Sequence, residues 1–135
     1  MKTSNLCEGD WVEWWHPRKQ RWIPLKITLE KLKTYRDVYN SEAPDTELRP
    51  MTLTPELLEY WGYKKEETDG LIEWISPDRR VILRNNRMWI NSENTWGIHV
   101  DNLDMDTICT AELSWVHQFQ HILEHCEVEQ KYSIP

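Results

Sequence analysis

Arg80, Arg84, Arg87, Trp89 and His99 stand at positions that alternating strands would bring to one face of a sheet. A guanidinium offers a planar fork of donors that matches phosphate or carboxylate, and an indole plane accepts a cation or a flat ring. Together they supply the chemistry for a small anionic, nucleotide-like ligand. The competing reading is packing, in which the N-terminal residues cover this face, Trp89 and Ile82 are interface, and the arginines pair with Glu73, Glu66 or Glu67.

A second constellation is His117, His121 and His125, at i, i+4 and i+8 of an apolar-periodic segment. Neighbouring pairs on one helical face can chelate a transition metal, with Glu124 close by. A histidine stripe flanking an apolar face more often packs and hydrogen-bonds at its edge, so no metal is assigned. Asp101, Asp104 and Asp106 lack the glycine and closing glutamate of a calcium loop; they read as acidity before a helix, with Asp106 or Thr107 capping its amides. No Gly-x-Ser-x-Gly and no glycine-rich phosphate loop is present, and the chain has four glycines in all, so neither nucleophilic catalysis nor a cofactor is expected.

The elements that must position these residues read as α+β. Residues 10–28 form a hairpin around the polar run from His16 to Gln20, and Pro24 confines its strand to an edge. Adjacent Trp14 and Trp15 point to opposite faces, and with Trp11 and Trp22 they leave a choice between interface and binding surface. Residues 29–39 fit a helical stripe (Leu29, Leu32, Arg36, Tyr39) and also a strand over 34–39; strand is preferred. Thr54 as N-cap, Pro55 at the first turn and Gly62 as the left-handed stop define a short helix. An antiparallel meander follows: 71–76, a Pro77-Asp78 turn, 80–84, an Asn85-Asn86 turn, 87–91, and 96–100. Alternation places Ile72, Trp74, Val81, Leu83, Met88, Ile90, Trp96, Ile98 and Val100 on one face and the arginine/tryptophan set on the other. A C-terminal helix over roughly 111–127 carries Leu113, Val116, Phe119, Leu123 and Cys126 as the stripe that covers the first face. Residues 1–50 form a β-rich unit and 51–135 the rest.

The chain has 135 residues, enough to bury a core unaided, and nine tryptophans supply large apolar surfaces. Its net charge of −7 is concentrated at the end, where residues 101–135 hold seven Asp/Glu against one Lys. Such a balance disfavours general nucleic-acid binding, which needs a basic field. Three widely spaced cysteines fit reduced thiols, and neither a leader nor a membrane span is read, so a cytoplasmic protein is expected.

The order Leu53-Thr54-Pro55-Glu56-Leu57-Leu58 with Trp61-Gly62-Tyr63, a meander, then Trp115-Val116-His117-Gln118-Phe119-Gln120 resembles a family of small proteins of gut-bacterial phages, prophages and mobile elements. The likeness covers about residues 51–125. Here the family's apolar run and Thr-Gly turn are replaced by Ile122-Leu123-Glu124-His125-Cys126-Glu127, so a role tied to that turn does not carry over. The resemblance implies an accessory product in the cytoplasm of a bacterial host, without established activity, of a kind that often binds and inhibits something of the host. The leading expectation is therefore a non-enzymatic binding protein for a host protein or a small anionic ligand, as in blunting host defence. The rivals are a metal-dependent hydrolase using the histidine stripe and a virion-assembly adaptor acting as a homo-oligomer.

Overall fold

The computed structural model describes residues 1–85 and 95–135. Contacts divide them into two compact units: Met1–Met51 with Trp115–His117, and Thr52–Ser114 with Gln118–Pro135. The first is built on a three-stranded antiparallel sheet of order β2-β1-β3, from β1 (Trp11–His16), β2 (Arg21–Lys26) and β3 (Leu48–Pro50). Pro24 lies on β2, the sheet's edge, where its missing N–H breaks no ladder bond to a further strand. Val12, Leu25, Trp14 and Leu48 turn to one side and pack with Leu6, Ile27, Tyr35 and Ala43.

Residues 29–39 are a helix, α1 (Leu29–Tyr39), and not the expected strand. The local chemistry explains it. The Thr28 hydroxyl caps the amide of Lys31, and Asn40 (φ 51°) takes the left-handed stop and donates its N–H to the Tyr35 carbonyl. Of the helix only Tyr35 is buried, and Leu29, Arg36 and Tyr39 of the helical stripe are exposed, so apolar periodicity marks it weakly.

The second unit is a five-stranded antiparallel meander of order β4-β5-β6-β7-β8, with α2 (Pro55–Tyr60) before it and, from Gln118 on, α3 (Val116–His125) after. In α2 the Thr54 hydroxyl accepts from Leu57 N–H at 3.2 Å, and Gly62 (φ 91°) reverses the chain so that Tyr63 N–H reaches the Leu58 carbonyl. The strands are β4 (Lys64–Thr68), β5 (Leu71–Ile75), β6 (Val81–Asn85), β7 (Trp96–Asp101) and β8 (Thr107–Leu113). Pro77 takes the second position of the turn before β6, closed by Arg79 N–H to the Ser76 carbonyl. Trp74, Val81, Leu83, Trp96, Ile98, Val100 and Leu113 are buried together with Phe119, Leu123 and Cys126. Trp96 donates its indole N–H to the Leu53 carbonyl, and Phe119 stacks on Trp61 (5.9 Å, 10°).

Three expectations about this unit change. Residues 107–113 are strand β8 rather than the start of the C-terminal helix: Cys109, Ala111 and Leu113 alternate inward with exposed Thr110 and Glu112, a period of two. The helix begins at Val116, and the Gln118 side chain accepts from Ser114 N–H just ahead of it. Asp106 and Thr107 accordingly cap no helix; Asn102 Oδ1 instead accepts from Asp104 and Asp106 N–H in the β7–β8 turn. Residues 64–68, ahead of the meander expected from residue 71, are strand β4, every residue of it exposed. Finally β6 pairs directly with β7 (Asn85↔Trp96), while the strand expected at 87–91 lies outside the described residues.

Candidate functional site

The register of β6, β7 and β8 builds a grid on the face opposite the core. Arg84, Gly97 and Glu112 form one cross-strand row, and Ile82, His99 and Thr110 the next. Gly97 places no side chain between these two long charged neighbours. The result is a cleft of about 570 Å³ lined by both rows. A glycine inside a strand often marks a bulge, a bend, or a place where a ligand or another backbone approaches closely.

Arg84 is held in place from the other side. Its Nε donates to Glu73 Oε2 on β5 at 2.7 Å, and half of its side chain stays exposed. Glu73↔Arg84 is also a cross-strand pair, so sheet register and ion pair fix the guanidinium together.

His99 is set by Asp101, two residues along the same strand. His99 Nε2 lies 2.7 Å from Asp101 Oδ1, and the Thr107 hydroxyl lies 3.3 Å from each. A bulge makes this meeting: Val100 pairs with Cys109 but Asp101 with Thr107, so Ile108 drops out of the ladder and is exposed. Asp101 is buried, and its carboxylate orients the ring. Hydroxyl and carboxylate share one imidazole nitrogen, whereas a nucleophile relay needs them on opposite nitrogens. The trio therefore positions His99 and does not form a catalytic triad.

Of the five predicted site residues, Arg84 and His99 meet in the cleft. Arg80 does not: its Nε donates to the Asp101 carbonyl at 2.9 Å, and its side chain borders a second depression with Asn102, Ile108 and His125. Arg87 and Trp89 lie outside the described residues. The anticipated pairing of arginines with nearby acids is seen as Arg84–Glu73, and Glu66 is paired with Arg79 instead. Sequence reading missed Gly97, Thr110 and Glu112, which occupy the centre and rim; a lone glycine amid alternating residues was the signal. Compared with protein-family models, curated proteins and solved structures, the chain matches none.

The histidine stripe of α3 is graded: His117 is buried, His121 half-buried and His125 exposed. At 1.5 Å per residue, His117 and His125 lie about 12 Å apart along the axis, so one ion cannot bind both. No described helix is long and apolar enough to cross a membrane.

Proposed function

We propose that the chain is a non-enzymatic binding protein whose β6–β8 face holds a small anionic, nucleotide-like ligand. The supporting observation is the Gly97 notch between Arg84 and Glu112. An anionic group sits against Arg84 and His99, the flat part of the ligand lies over Gly97, and an amine edge donates to Glu112 or Thr110. A cation and an acid on opposite rims select a ligand that carries both an anion and donors, as a nucleotide does, over a simple anion. Residues 51–125 resemble accessory proteins of phages and mobile elements, which supports a role in a bacterial host's cytoplasm by withholding such a ligand from a host defence.

Calorimetry against a panel of nucleoside mono- and diphosphates tests the reading. Binding that is lost in Arg84→Gln and in Gly97→Val, the latter filling the notch while leaving every charge in place, is the expected result. A panel that gives no heat with the wild-type chain, or heat that Gly97→Val leaves unchanged, removes the proposal.

A further inference from the structure

The three-stranded sheet of the first unit has an outer face of different chemistry. Trp15 and Trp22 are directly opposite on β1 and β2, their rings edge to face at 5.7 Å and 67°. The Arg49 guanidinium of β3 lies 4.2 Å over the Trp22 ring, and its Nη2 contacts Glu13 Oε2 at 3.3 Å. A cross-strand aromatic pair steadies a hairpin by itself. The surrounding charge is not explained that way. Residues 11–26 and 48–50 hold five cations, Arg18, Lys19, Arg21, Lys26 and Arg49, against a single acid, and that acid, Glu13, is engaged by Arg49. All five cations are exposed. Arg18 and Lys19 sit in the β1–β2 turn, at the end of the sheet where the tryptophan pair lies, and Lys26 and Arg49 share the tryptophans' side, whereas Arg21, opposite His16, alternates to the other side. Locally positive charge next to indole and guanidinium planes contrasts with the acidic chain as a whole.

From this complementarity we infer that the outer face of the β2-β1-β3 sheet binds single-stranded nucleic acid. Unpaired bases stack on Trp15, Trp22 and the guanidinium of Arg49, and the phosphates run along the turn cations. A duplex hides its bases and would use the cations alone, and an acidic peptide would leave the indole planes idle. The face belongs to the first unit, and its reading does not rest on the β6–β8 cleft.

The test is fluorescence anisotropy of a labelled oligothymidylate of ~20 nucleotides, long enough to span a stacking site, with the full chain. Saturable binding at about 50 mM salt that falls with a log–log slope near −0.7 per neutralised phosphate is expected. Trp22→Ala weakens it about 5- to 100-fold, as loss of one stacking plane should. Because that change can disturb the hairpin, Arg18→Gln/Lys19→Gln in the exposed turn is the second variant: its circular dichroism stays that of the wild type and its salt slope flattens by about 1.4. The inference is overturned if the oligonucleotide does not bind at low salt. It is overturned equally if a duplex or polyglutamate binds as tightly, or if neither variant alters binding.

Discussion

Replacing Phe119 with alanine should cost the chain a large share of its stability. The ring is fully buried, stacked on Trp61 and met edge-on by Tyr63 (6.1 Å, 68°) and Tyr132 (6.1 Å, 85°). Core phenylalanine-to-alanine changes cost about 3–5 kcal/mol, and three aromatic partners place this one near ~4 kcal/mol, against a total of about 5–15 kcal/mol for a domain. With an unfolding entropy of about 2.1 cal/mol/K per residue, 135 residues give about 0.28 kcal/mol/K, so Tm should fall by ~14 °C. Thermal unfolding followed by near-ultraviolet circular dichroism, which reports the aromatic cluster directly, measures it. Phe119→Leu keeps most of the volume and loses the ring contacts, and should cost about 1–1.5 kcal/mol. A Phe119→Ala protein melting within about 3 °C of wild type would refute the cluster as the centre of the second unit's core.

Thr54→Ala removes the cap of α2 and should lower stability by about 1 kcal/mol, read in urea unfolding; no shift of the midpoint would mean that Thr54 Oγ1 does not hold Leu57 N–H. Tyr63 and Tyr132 have phenols raised above the ordinary value, first by burial, then by Tyr132 and by Glu124 respectively. The folded chain thus keeps protons that the unfolded chain releases: their contribution is full below about pH 10 and is lost above it at about 1.4 kcal/mol per unit for each. Tyrosinate absorbance should show these two appearing only with alkaline unfolding; their titration in the folded protein near pH 10 would contradict the burial. Cys7 is exposed, whereas Cys126 is buried beside Cys109 and its thiol is raised by that burial. A thiol reagent should label Cys7 rapidly and Cys126 only on unfolding, and a fast phase that survives in Cys7→Ser/Cys109→Ser would disprove it.

What the sequence disclosed follows from where its signals are local. Thr54, Pro55 and Gly62 each act within a turn of α2 and need no partner, so that helix is legible from its own residues. Pro24 likewise announces an edge. Strand β4 is the opposite case: all five residues are exposed and four are charged, and its pairing comes from backbone bonds to β5 that no side-chain pattern records. Helix α1 buries one residue, and the Thr28 and Asn40 caps were its readable marks. Leu113 at the end of β8 and Val116 at the start of α3 are three apart and mimic a helical stripe, although the chain changes from strand to helix between them.

The site shows the same division. Alternation suffices to place Arg84 and His99 on one face. The registers that set Arg84 and Glu112 either side of Gly97 belong to strand pairing, and the bulge that sets Thr107 opposite Asp101 belongs to the β7–β8 turn. Arg80 follows the alternation, yet its guanidinium turns along the strand end to the Asp101 carbonyl and leaves the cleft.

Amide chemical-shift mapping during titration with nucleoside monophosphates locates the proposed ligand on or off the β6–β8 face. Saturable shifts centred on Arg84, Gly97, His99, Thr110 and Glu112, absent in Gly97→Val, are expected. Shifts centred on other strands, or none at millimolar ligand, a level that detects even binding worth about −4 kcal/mol, would contradict that location.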